Sequence, residues 1–304
     1  MHVGLIDIDN TRFPTLTLMK LSAWHKAHGN TVELISPADV LGGNLFGKWD
    51  MIYASCIFER NKHVADDLAK AGVMVGGSGY DMSRKLPTEI EHIMPDYSLY
   101  GITDTAYGFL TRGCPRQCPF CIVKDKEGVS SVKVADLSEW WSGQKFIKLL
   151  DPNLLACKAG NELLQQLIDS HARVDFTQGM DARLLTDENI QLIQQIRYDR
   201  IHFAWDNPRD KTVPKALRKF KTYTKNLKTD YVKHKVYVLT NYWSTLEEDL
   251  MRVYWLRDNN FDPYVMIFDK QNAPQKVHYL QRWVNNKLVF RTIDRFEEYD
   301  HTKG

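Results

Sequence analysis

Short apolar runs recur along most of the chain, each closed by a polar residue and most followed by a stretch with helical spacing. His2-Val-Gly-Leu-Ile-Asp-Ile8 is the first. A run apolar at nearly every position suits a parallel strand buried on both faces. Pro14 then opens a helix that places Leu16, Met19, Leu21 and Trp24 on one face, and Gly29 stops it. Thr31 to Ile35, Asp50 to Ser55 and Val73 to Val75 read as three further strands, with a helix from Asn61 to Ala71 ended by Gly72. Strands alternating with helices imply a parallel sheet covered on both faces. The fold class is α/β, and residues 1–100 read as a small doubly wound, Rossmann-like domain.

The 304 residues leave room for a second domain, and 43% hydrophobic with 26% charged content is ordinary for a soluble globular chain. A net charge of +2 excludes a strong overall field, so any contact with nucleic acid must come from a local patch. No apolar run reaches membrane-spanning length, and the expectation is a cytoplasmic protein without membrane contact. Ser83 to Tyr107, with Pro87 and Pro95, reads as the linker into a second domain at residues 101–304.

That second domain repeats the alternation. Tyr107 to Arg112, Phe146 to Leu150, Arg173 to Thr177, Arg200 to Ala204, Lys235 to Leu239 and Asp262 to Phe268 give strands for six strand–helix units. Asn161 and Thr186 are placed to cap two of the helices, and Glu247 to Leu256 forms another. Pro274 opens a helix carrying Val277, Leu280 and Trp283, and Leu288-Val-Phe290 suggests a last strand. Parallel α/β units build sites at the C-terminal ends of their strands. The polar residues there are Asp151 and Asn153, then Gln178, Asp181 and Arg183, then Asp206 beside Trp205, with Asn241 and Asp269 as weaker candidates.

The chemistry concentrates in Thr111-Arg-Gly-Cys-Pro-Arg-Gln-Cys-Pro-Phe-Cys-Ile-Val123. Cys114, Cys118 and Cys121 stand in C-x3-C-x2-C spacing, and Pro115 and Pro119 keep the loop from becoming helix, so three thiolates can turn onto one metal centre. Structural zinc favours four ligands in paired C-x2-C units, whereas a four-iron cluster on three cysteines leaves one iron open. Cys56 and Cys157 have no cysteine neighbours and read as small buried residues.

With Phe120 directly before the last cysteine, the stretch resembles the C-x3-C-x-Φ-C motif of the radical S-adenosylmethionine superfamily. The resemblance implies a partial (β/α)6 barrel holding a [4Fe-4S] cluster, with S-adenosylmethionine chelated to the open iron. It further implies a 5′-deoxyadenosyl radical that abstracts hydrogen from a substrate, and an electron donor such as flavodoxin or ferredoxin. On that resemblance Phe120 belongs to the cofactor site, and Asp151 with Asn153 takes the place of the family's Gly-Gly-Glu stretch beside the methionine amine. Arg183 would pair with the methionine carboxylate, Gln178 or Asp181 would reach the ribose, and Asp206 would face adenosine or substrate. The substrate itself cannot be read from the residues.

The order of elements in the first hundred residues also resembles cobalamin-binding-type domains, where a Gly-Gly pair after a late strand lies near the cofactor tail. Gly76, Gly77 and Gly79 hold the corresponding place, and a strand-end turn needing positive φ is the better account of them. The family's cobalt-ligating D-x-H-x-x-G loop is replaced by Asp9-Asn-Thr-Arg-Phe-Pro14, without histidine, so cobalamin is not expected. The alternatives are a cobalamin-dependent radical methylase or rearrangement enzyme, and a non-catalytic iron–sulfur or zinc module. His202 reads as a core residue, and His171 and His234 lie at strand starts, away from the chemistry. The basic stretch from Arg209 to Lys235, including Lys215, Arg218, Lys219, Lys221, Lys225 and Lys228, suits either a nucleic-acid surface or a solvated helix.

Overall fold

Val3, Leu5 and Ile6 are fully buried in strand β1 (His2–Asp7), as an apolar run with helices on both of its faces requires. The computed structural model describes residues 1–11, 13–43, 48–224 and 231–302, with the backbone alone at 231. β1 pairs in parallel with β2 (Thr31–Ile35) and β3 (Met51–Ser55), and β3 with β4 (Met74–Gly76), in the order β2-β1-β3-β4. Val3 and Leu5 pack with Leu18 and Leu21 of the helix Leu16–Ala27, while Ile6 and Val75 pack with Ala65 and Leu68 of the helix Lys62–Lys70.

Gly77 shows why the glycine-rich turn after β4 is needed. Its φ is +106°, and a Cβ there would fall inside the contact distance of the Cys56 carbonyl. The Asp9 carboxylate, in the loop after β1, accepts from Ile57 N at 2.5 Å and from Asn61 Nδ2 at 2.8 Å, closing that loop onto the one after β3. Arg12 of the same loop lies outside the described residues.

The segment expected to be a linker is packed. Ile90 and Tyr97 are buried, Lys20 pairs with Glu91 at 2.9 Å, and Ser22 donates to Asp96 at 2.6 Å. Buried apolar side chains and side-chain ties of this kind hold it, despite its prolines.

The second sheet has the order β12-β11-β10-β9-β8-β5, with β5 at Thr105–Gly108, β8 at Phe146–Leu149, β9 at Arg173–Met180 and β10 at Tyr198–Ala204. β11 spans His234–Thr240 and β12 Asp262–Ile267, and β9 through β12 pair in parallel. Between β5 and β8 a two-stranded antiparallel ribbon intervenes, β6 (Thr111–Arg112) with β7 (Val132–Lys133). The chain divides into two compact units: Met1–Gly108 with Asp125–Glu127 and Ala135–Ile147, and Phe109–Lys124 with Gly128–Val134 and Lys148–Gly304. The protein is thus α/β with parallel-strand sheets, and no described helix is long and apolar enough to cross a membrane.

Three local expectations need correction. β9 continues through Gln178 and Gly179 to Met180, because the register slips between Ile201, paired with Phe176, and His202, paired with Gly179. Leu288-Val-Phe290 lies in a helix, Lys287–Thr292, where the Asn286 side chain accepts from Val289 N. A cap thus overrides the strand propensity of the triplet. Asn161 falls inside the helix Gly160–Asp169, behind Ala159 at the N-cap, whereas Thr186 forms the expected capping box with Asn189.

Candidate metal centre

The cysteine loop is fastened at its root. Thr111 and Arg112 pair with Lys133 and Val132, and Cys114 N donates to Gly128 O at 3.1 Å. Gly113 at φ +85° and Gln117 at φ +48° turn the chain so that Cys114, Cys118 and Cys121 all come to half-buried positions. Burial first, then the charges of Asp206, Cys121 and Cys114, push the Cys118 thiol up, with Arg183 opposing. The Cys118 sulfur is thus within electrostatic range of both other cysteines. Among the described residues no three His, Cys, Asp or Glu side chains gather as a single metal ion would need. A four-iron cluster takes each thiolate on a different iron, so its ligands stand wider apart than those of a lone ion.

Asp151 and Asn153 reach this loop from the end of β8. The Asp151 carboxylate accepts from Leu110 N at 3.0 Å, from Thr111 N, and from Thr111 Oγ1 at 2.6 Å. Both its oxygens are engaged in anchoring the strand that leads into the cysteines. Burial pushes its carboxyl up to about 7, against the pull of the Thr111 hydroxyl and the two backbone donors. Asn153, 2% exposed, donates from Nδ2 to Cys114 Sγ at 3.4 Å, and its carbonyl accepts from Ser131 Oγ at 2.9 Å. Its Oδ1 is buried without a hydrogen-bond partner. An orphaned acceptor beside a thiol is a place for a donor from a bound group.

The far side of the loop is held by ions. Arg116 pairs with Asp181, which also accepts from Arg183 Nε at 2.7 Å, and Arg183 Nη1 reaches Asp210 at 3.3 Å. Asp181 and Arg183 are thus brought together as a local ion pair, with Asp206 within electrostatic range of both. Burial pushes Asp206 up to about 6, with Arg252 and Arg183 opposing and Asp181 adding. Phe120 stands edge-on to Tyr242 at 5.4 Å and Trp243 at 5.5 Å. Gln178 is exposed at the slipped register of β9, and its neighbour Thr177 supplies the bonds there, to Leu149 O at 2.7 Å and from Tyr237 at 3.2 Å. Asn241 adopts φ +60° and donates to Phe268 O at 2.9 Å, tying the β11 and β12 ends together. Asp269 accepts from Asn272.

Four contributors carry little or no signal in the sequence. Arg116 sits between two of the cysteines, where its charge was the available signal. Tyr242 and Trp243 follow a strand end directly. Arg252 is wholly buried, and its Nη1 donates to Trp205 O at 2.5 Å and Asp206 O at 2.9 Å, while Nη2 donates to Leu239 O at 2.9 Å and pairs with Asp249. It ties the ends of β10 and β11 together. An Asp-x-x-Arg pair on a helix face with buried Val253 and Leu256 was its only trace in the sequence.

His202 and His234 are buried. His202 bonds Phe176 O at 2.7 Å and stacks on Tyr237, and burial lowers its pKa. His234 bonds Tyr198 and Lys221, and burial, with the charges of Lys221 and Lys233, lowers its pKa to about 3. In the basic helix Thr212–Thr222, Lys219 pairs with Asp187 at 3.1 Å, and Arg218 lies over Trp255 and Lys221 over Phe261. These side chains cover apolar surface. Lys225 and Lys228 lie outside the described residues. No protein-family model matches the chain, and no curated protein matches it.

Proposed function

We propose that this chain is a radical S-adenosylmethionine enzyme. The observation that carries the reading is the cysteine loop with its surroundings: three half-buried thiols in C-x3-C-x2-C spacing, a buried amide on one of them, and an acceptor left orphaned beside it. Cys114, Cys118 and Cys121 would hold a [4Fe-4S] cluster. Such a cluster supplies one-electron cleavage of S-adenosylmethionine and a 5′-deoxyadenosyl radical for hydrogen abstraction. The chain's own residues do the positioning. Asn153 orients Cys114, the Arg116–Asp181–Arg183 chain fixes the loop's outer side, and Asp151 anchors its root. Asn153 Oδ1 and Asp206 are the acceptors for ammonium and hydroxyl groups, and Arg183 is the cation for a carboxylate.

In this reading the second sheet is a partial (β/α)6 barrel. Its strands follow one another in sequence order around the β6–β7 ribbon, so right-handed crossovers would carry the helices to one face. The other face holds Lys148, Asp175, His202, Lys235 and Tyr237, positions that alternate with the buried apolar ones. The first sheet is a Rossmann-like domain, since its order reverses at β1 and apolar clusters cover both its faces. The test is anaerobic reconstitution with iron and sulfide, then reduction with S-adenosylmethionine. The expected result is iron bound to the chain and 5′-deoxyadenosine formed, with both lost in Cys118→Ala. Wild-type chain that binds no iron, or a Cys118→Ala variant that keeps full product formation, refutes the assignment.

A further inference from the structure

Among the described residues β12 is the outermost strand of the second sheet and pairs with β11 alone. Its outer edge is closed to another strand: Val265 N donates to Asn285 Oδ1 at 2.9 Å, and Val265 O accepts from Gln281 Nε2 at 3.1 Å and Asn285 Nδ2 at 2.9 Å. Whatever approaches this side must therefore be recognised by side chains. Tyr264, Met266 and Phe268 stand two residues apart and are 38%, 46% and 38% exposed. Strand geometry places Tyr264 and Met266 about 6.6 Å apart on one face, and Phe268 stands in the turn that follows β12.

Tyr264 borders a groove of about 610 Å³ whose lining includes Lys270, His278 and Arg282 and, among the described residues, no carboxylate. Asp269, the acid next to Lys270, is engaged by the Asn272 amide at 3.0 Å. At the other end Phe268 meets Tyr242 at 4.6 Å, and Tyr242 meets Phe120 of the cysteine loop at 5.4 Å. A strip of exposed and half-exposed side chains, aromatic but for Met266, thus runs from a cationic groove to the cysteines.

We infer that this strip and groove bind a single-stranded nucleic acid, with phosphates on Lys270 and Arg282 and unpaired bases stacked on Tyr264 and Phe268. As the identity of the substrate, this rests on the radical-enzyme reading; as a binding site it does not. A groove lined by cations, with no carboxylate among its described lining residues, complements a phosphodiester backbone, and ring faces accept any base. An acidic peptide would use the cations and leave the rings idle, and a duplex keeps its bases stacked on one another.

The experiment is fluorescence anisotropy with the full-length chain and labelled ribo- and deoxyribo-oligonucleotides of about 12 nucleotides, a length on the scale of single-strand site sizes. Binding is expected to weaken about tenfold in Tyr264→Ala, the loss of one stacked base. Lys270→Ala and Arg282→Ala should each weaken binding and lower the salt slope by about one unit. Lys215→Ala, an exposed cation on the helix Thr212–Thr222, should leave binding unchanged. All four positions are exposed, and circular dichroism checks that the variants fold. The preference between the two oligonucleotides names the nucleic acid. No binding, equal loss in Lys215→Ala, or competition by polyglutamate or duplex as strong as by the single strand would overturn the proposal. Binding without 5′-deoxyadenosine counts against the radical reading alone, and 5′-deoxyadenosine without binding counts against the groove alone.

Discussion

Replacing Asp151 with Asn keeps the shape of the side chain but removes its charge and turns one acceptor into a donor. In the wild type Oδ1 accepts from Thr111 N and Oγ1 and Oδ2 accepts from Leu110 N. The amide oxygen can keep the Thr111 pair, which leaves Leu110 N facing an NH2 group, at a cost of about 1–3 kcal/mol. The pH dependence runs the other way. Burial raises this carboxyl from 3.8 to about 7, so the folded state keeps a proton that the unfolded chain has released. Stability from this group is present below about pH 4 and declines as pH rises to about 7, by about 4 kcal/mol at 1.36 kcal/mol per unit. The variant has no such titration. The wild type is therefore expected to lead Asp151→Asn at pH 4–5, with the gap closing or reversing by pH 8. Urea unfolding of both proteins across that range, followed by tryptophan fluorescence, measures it. A gap that is flat, or that widens with pH, would mean that the three donors outweigh burial and hold the carboxylate ionised, and the reasoning fails.

Arg252→Met should lower stability by about 3–5 kcal/mol, because Asp249 is left buried and unpaired; thermal unfolding tests it, and adding Asp249→Leu should recover part of the loss. Gly77→Ala should cost about 2 kcal/mol or more through strain at φ +106° and collision with the Cys56 carbonyl, read as faster amide exchange in β3 and β4; unchanged protection there would contradict it.

The strands were legible because burial on two faces writes an unbroken apolar run, and the cysteine loop because its candidate ligands lie within eight residues of one another. What was hidden followed a different rule. Asp151 was chosen for its type and position, yet two of its three partners are backbone N–H groups, which leave no mark on residue identity. Arg252 likewise bonds three carbonyls, so only its pairing with Asp249 was visible in principle. The end of β9 was misplaced because Gln178 and Gly179 have poor strand propensity and are held by the shifted register of β10. The Leu288 triplet was misread because a cap at Asn286 decides its conformation. Sequence thus exposes the side chains that carry chemistry and conceals those that bond the backbone. Around this loop Asp151, through partners the sequence conceals, anchors the root, and Arg252 holds the Trp205–Asp206 strand end. Removing either should shift the loop's root or the Trp205–Asp206 strand end, although no cysteine itself is altered.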